Sequence, residues 1–186
     1  LVDKKTGTVP YHGYFFNEDQ TMMLYMNNVA ETENNDTIYE LWLYDIESKE
    51  KIMLAQNVMQ FVPDKDFNSL LYLDSDRTLY YKGNAESTDA EKIAVKCSYF
   101  DASEDLQNII YYDFYGRAYT CKIGGKSSLV SEKQIDINSF SDDFSEFVYV
   151  EDGNIIRQTG DTKEVLLDGY VAEYGAVIQQ GGYFVS

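Results

Sequence analysis

A chain of 186 residues is long enough for one domain with a sizeable core, and its 44% hydrophobic content excludes a disordered polypeptide. Fifteen Lys and Arg against 32 Asp and Glu give a formal net charge of −17, which repels a phosphate backbone or an anionic leaflet and argues against nucleic-acid or peripheral membrane binding. No apolar run approaches the roughly 18 residues of a membrane-spanning helix, and the start at Leu1 reads as a mature or trimmed piece with any address or anchor outside it.

In chain order, the first strand signals are "YFFNEDQTMMLYM" from Tyr14 and "IYELWLYD" from Ile38, separated by the polar insert "NNVAETENNDT". "KIMLA" (Lys51–Ala55) follows. Then comes "MQFVPDKDFNSLLYLDSDRTLYYK" (Met59–Lys82), a polar linker, and "EKIAV" (Glu91–Val95). The same order returns in "SYFDASEDLQNIIYYDFYGRAYTCK" (Ser98–Lys122) with "SSLVS", and again in "NSFSDDFSEFVYVEDGNIIRQ" (Asn138–Gln158) with "EVLLD". Each copy holds an aromatic, an acid-rich turn, an apolar strand, a short turn, a second strand and a short aliphatic strand. Phe61, Phe100 and Phe140 stand 39 and 40 residues apart, so they are expected at equivalent buried positions. Four strands at a period of about 40 residues predict an all-β fold, a β-propeller of four-stranded antiparallel blades. Both alternate positions are apolar in "LLYL" and "FVYV", which predicts strands covered on both faces. Asp152-Gly153 predicts a type I′ hairpin.

Blades are expected at residues 13–55, 59–95, 98–131 and 136–168 of a single domain, with residues 171–186 and 1–10 as a possible closing fifth. The aromatic-Ser-x-Asp, strand, turn, strand pattern, clearest in "FSDDFSEFVYVEDGNIIR", resembles the TolB-type propeller repeat from about Phe15 to Asp168. The turn that is usually Pro-Asp-Gly in that family appears here as "PDKD", "ASED" and "SDDF". The resemblance implies a propeller outside the cytoplasm or at the cell surface that serves as a protein-interaction platform, with no catalytic residue.

"DKDFNS" begins like a calcium loop, but Ser69 stands where the sharp turn needs Gly and Ser75 where the bidentate Glu belongs. The aligned acids are expected to be turn residues, and no metal site is assigned. "IGGKSS" lacks the Gly of a phosphate loop and reads as a hairpin loop. His12 is the single histidine, and there is no nucleophile elbow, so neither a catalytic residue nor a cofactor is assigned. Cys97 and Cys121 lie in apolar strand contexts and are expected to be buried thiols, with a mutual disulfide the alternative. Seventeen tyrosines fall mostly in strands, where core packing is the default; "DFYGR" and "LDGYV" place Tyr115 and Tyr170 in loops. Phe114, Tyr115 and Tyr170 are the candidate partner-binding residues, on the rim that also carries the Asn27–Thr37 insert. The leading reading is a non-catalytic protein-interaction or scaffold module with a protein partner. The alternative is a carbohydrate-binding or carbohydrate-processing propeller using loop aromatics and carboxylates.

Overall fold

The computed structural model describes residues 13–33, 35–135, 137–141, 143–169, 176–179 and 182–185. Every element among them is a strand, as the β-branched and aromatic runs require. A seven-stranded antiparallel sheet takes β1 (Tyr14–Phe16), β2 (Met22–Glu31), β3 (Thr37–Asp45), β4 (Lys51–Pro63), β5 (Leu70–Asp74), β6 (Leu79–Lys82) and β7 (Glu91–Ala94) in chain order. Four-stranded sheets follow from β8 (Cys97–Ala102), β9 (Asn108–Asp113), β10 (Ala118–Lys122) and β11 (Ser128–Leu129), then from β12 (Ile137–Phe140), β13 (Glu146–Glu151), β14 (Asn154–Thr159) and β15 (Thr162–Leu167). A hairpin of β16 (Ala176–Gln179) and β17 (Gly182–Val185) follows, and among the described residues the sheets do not close on one another. Residues 1–10, expected in a closing blade, and residues 171–175 lie outside the described residues.

The seven-stranded sheet is two four-stranded units sharing one strand. Lys51–Ala55 of β4 pairs with β3 and Gln60–Pro63 with β5, while Val58 pairs with both Tyr39 and Asp74. Between them Asn57 takes a left-handed conformation (φ 53°), which Asn tolerates better than most residues, and the strand turns there without breaking. Its carbonyl accepts the Ser75 amide at 2.8 Å. The next junction is nearly as tight: only Val95 and Lys96 separate β7 from β8, and Lys96 is left-handed as well (φ 57°). Inner strands β4 and β8 are joined by Gln60, whose amide nitrogen donates to the Phe100 carbonyl at 2.7 Å while its oxygen accepts the Phe100 amide. That side chain satisfies backbone groups that an inner edge would leave open.

The units, here numbered 1 to 4 (β1–β4, β4–β7, β8–β11, β12–β15), stack face to face. Leu24, Leu41 and Leu43 of unit 1 pack on Phe61, Phe67 and Leu70 of unit 2. Leu71, Leu73 and Leu79 of unit 2 pack on Phe100, Ile109 and Tyr111 of unit 3, and Ile110 and Ala118 of unit 3 pack on Ile137, Phe147 and Tyr149 of unit 4. Leu70 and Leu71 therefore serve opposite interfaces, as do Ile109 and Ile110. That is why "LLYL" and "IIYY" carry apolar or aromatic residues at every position. Burying each such Leu or Ile contributes roughly 1.5–3 kcal/mol.

Registers expose a signature that the phenylalanine spacing obscured. Each second strand carries a tyrosine opposite the same inner-strand position: Tyr25 faces Tyr14, Tyr72 faces Phe61, Tyr111 faces Phe100, and Tyr149 faces Ile137. Phe140 instead faces Phe147, the place held by Pro63 and Ala102. Its expected equivalence to Phe61 and Phe100 is thus corrected by two residues; a register shift between Ile137 and Ser139 lets the turn sequence drift against the strand.

Turns between first and second strands repeat closely. Asn17, Asp64, Ser103 and Ser141 each donate their backbone N–H five residues ahead and accept another three residues ahead, at 2.8–3.2 Å. Each also accepts, through its side chain, the amide five residues on. The residue three positions on is left-handed in all four turns: Gln20, Phe67, Leu106 and Phe144. Asp152 and Gly153 are both left-handed, as the type I′ hairpin predicts.

Candidate functional site

Antiparallel order sends the second-to-third strand turns and the unit junctions to one rim, and the acid-rich turns to the other. On the first rim, the 113–117 turn is built around Asp113. Its carboxylate accepts the amides of Tyr115 (2.9 Å) and Arg117 (3.0 Å) and the Arg117 Nε–H (2.8 Å), while Gly116 (φ 74°) closes the turn. Burial works against the carboxylate's charge, yet the Arg117 side chain and these amides hold Asp113 below the usual carboxylate range. With its base so fixed, the turn thrusts Phe114 and Tyr115 into solvent, 56% and 74% exposed.

Around those rings lies the rest of the site. Arg117 places its guanidinium 5.4 Å from the Tyr115 ring and 5.9 Å from Tyr119, which in turn stacks on Tyr111 at 5.1 Å. Arg77, on the corresponding turn of unit 2, lies 5.9 Å from Phe114 and pairs with Asp36 at 2.6 Å. Three neighbouring units are thereby linked along one rim: Asp36, Arg77, Phe114. A cleft of about 480 Å³ opens beside the turn, walled by Val95 and Lys96 of the junction and by Tyr111, Phe114, Tyr115, Arg117 and Tyr119. Flat aromatic faces and guanidinium edges suit the anchoring of a planar or apolar group.

Of the predicted binding residues, Phe114 and Tyr115 are brought together here; Tyr170 lies outside the described residues. The Asn27–Thr37 insert is mostly strand rather than loop: β2 runs to Glu31 and β3 begins at Thr37, with Asp36 left to reach Arg77. Sequence reasoning missed Arg77, Arg117 and Asp36. The available signal was that two of only three arginines fall in these turns.

Other candidates resolve individually. Asp64 spends its oxygens on the amides of Asp66, Asn68 and Ser69 and on the Ser69 hydroxyl, which is turn chemistry. Among the described residues no three His, Cys, Asp or Glu side chains gather to hold a metal. "IGGKSS" is the turn from β10 to β11, closed by Gly125 N–H to the Lys122 carbonyl at 2.8 Å. His12 is outside the described residues. Cys97 and Cys121 are both free and buried. Cys97 faces Asp113 and Cys121 faces Ile109 across β9. They stand two strands apart and four residues along, about 17 Å, well beyond the reach of a disulfide. Burial pushes the Cys97 thiol up to about 12, so it is no nucleophile at neutral pH.

No protein-family model and no curated protein matches the chain. Solved structures do. The β-propeller domain of the Trilobed protease from Pyrococcus furiosus aligns over 92% of this chain and 61% of its own, at 13% identity and a TM-score of 0.54. The fold is that of a β-propeller. Porphyromonas gingivalis dipeptidyl peptidase 4 aligns over 88% of this chain and 33% of its own, at 9% identity and a TM-score of 0.59. This chain therefore spans about three fifths of the one propeller domain and a third of the other protein. None of these comparisons shows a TolB-type family.

Proposed function

We propose that this propeller is a non-catalytic interaction module that captures a protein partner on the rim bearing Phe114 and Tyr115. One observation carries the reading: two large aromatic rings are held in solvent by a turn whose base is fixed by the Asp113 carboxylate on the Tyr115 and Arg117 amides. Exposed aromatics of this kind are the residues that dominate partner binding, and a rigid base lowers the ordering cost of using them. Arg77 and Arg117 support the rings from below and supply a guanidinium edge in a chain that is otherwise strongly acidic. The TolB-like repeat pattern supports an extracytoplasmic setting for this module. Tyr170 belongs to the same proposal by its place in the "LDGYV" linker.

The test is capture by the purified chain from the extracytoplasmic fraction of its source, compared with the Phe114→Ala, Tyr115→Ala, Tyr170→Ala triple variant. The variant should melt within a few degrees of the parent and bind the identified partner at least about 30-fold more weakly, the scale of losing a hot spot. Undiminished capture by a folded triple variant overturns the proposal. Sugar-dependent stabilisation in a glycan screen, lost in the same variant, would replace the protein partner with a carbohydrate.

A further inference from the structure

Among the described residues, no unit packs on the face of unit 1 that points away from unit 2, and its inner-strand positions are open where their counterparts Phe61, Phe100 and Ile137 in units 2, 3 and 4 are buried at 4%, 0% and 7%. Its first row runs Tyr14, Tyr25, Trp42, Met53 across the four strands, each residue paired in register with the next. The equivalent rows begin Phe61, Tyr72; Phe100, Tyr111; and Ile137, Tyr149, and these pairs pack against the preceding unit. A second row runs Phe16, Met23, Tyr44, Lys51. Tyr14 and Phe16 are 50% and 48% exposed, and Met53 is exposed too. In a chain with 25% charged residues, Lys51 alone is charged in these rows. Glu40 bounds the surface, where its carboxylate accepts the Trp42 indole N–H at 2.9 Å.

We propose that this face docks on the same face of a second copy of the chain, as a weak two-fold dimer. A two-fold axis parallel to the strands keeps each row opposite itself and reverses strand order, so β1 lies over β4 and β2 over β3 of the second copy. Tyr25 then meets Trp42 of the second copy, two rings in contact. Tyr14 meets Met53, and Met23 meets Tyr44, both sulfur–aromatic pairs. Phe16 meets Lys51, a cation over a ring. At the boundary, Asn27 meets Glu40, a donor and an acceptor. Every position finds a partner it favours, and no like charges face each other. The contact continues the sheet-on-sheet packing that already joins units 1 to 4. It also meets the second copy on the patch where two chains of net charge −17 repel least. About ten residues a side is fewer than the roughly 20–30 of a standard interface, which sets the expected affinity in roughly the micromolar range.

Trp42 is the only tryptophan, so its fluorescence reports on this face alone. Between about 1 μM and about 1 mM chain, sedimentation should move from the 21.4 kDa monomer to the dimer. Trp42 emission should shift to the blue and resist acrylamide over the same range. Tyr14→Glu with Phe16→Glu, placed at half-exposed positions, should weaken the dimer at least tenfold. Lys51→Glu, on an exposed side chain, should weaken it by a smaller factor and keeps the test open if the double variant misfolds. A chain that stays monomeric, a dimer that leaves Trp42 unchanged, or a Trp42 already protected in the dilute monomer each overturns the proposal. The last result would put a segment of the same chain on the face. None of these residues lies on the Phe114 rim, so failure here leaves the proposed partner capture untouched, and the converse holds.

Discussion

Lys82 is 4% exposed in β6, and its ammonium donates to the Leu54 carbonyl at 2.9 Å. Leu54 is the residue that the β3–β4 register skips between Met53 and Ala55, so its carbonyl has lost its ladder partner. A lysine from unit 2 thereby completes a bulge in unit 1. Replacing it with Met should cost about 1–3 kcal/mol in denaturant unfolding, the penalty of an orphaned buried carbonyl. Burial lowers the Lys82 pKa in the folded state. The unfolded chain then binds more protons in the window below its ordinary value of about 10.4, so stability rises as pH climbs through that window. The parent should gain on Lys82→Met across it; a constant difference between the two curves would show that Lys82 titrates normally.

At the scale of the element, the acid-rich turns show how far local sequence reaches. Asp, Asn and Ser at their first position were legible as turn formers because their side chains bond to nearby amides. Left-handed Phe67, Leu106 and Phe144 were not legible. Bulky residues rarely accept a positive φ, and here all three rings or branches are buried, which offsets the local strain. Asp143 displays the electrostatic side of the same turn. Hydrogen bonds from the Ser145 and Ser141 hydroxyls and the Ser145 amide bring its pKa to about 2 from 3.8. Its contribution is present above the ordinary value and is lost as pH falls from about 4 toward 2. Asp143→Asn should therefore flatten the acid limb of the stability curve between those limits while leaving its neutral region less changed. An unaltered acid limb would count against the hydrogen-bonded carboxylate.

For the molecule as a whole, the propeller was readable because strands that pack on both faces, as in units 2 and 3, must be apolar at consecutive positions, and the same sequence pattern returns in units 1 and 4. The polar stretch "AQNV" hid the continuity of β4, since Gln56 and Asn57 look like linker residues until the turn at Asn57 is seen. Half of the candidate site was readable, through Phe114 and Tyr115. The supporting pairs Asp36–Arg77 and Arg117–Asp113 were not: the first joins residues 41 apart through the stacking of units, and no local pattern encodes it.

The shared strand also has a consequence for how the protein comes apart. Where neighbouring units are joined only by side-chain packing, one can open while the other holds, as in other repeat arrays. Units 1 and 2 cannot, because peeling either one strips hydrogen bonds from the same thirteen-residue strand. In native-state hydrogen exchange, the slow amides of β2, β3, β5 and β6 should release with one common opening energy, as a single cooperative block. The β9 and β13 amides should follow energies of their own. Two separate energies within the first block would mean that the left-handed turn at Asn57 acts as a break in the strand after all.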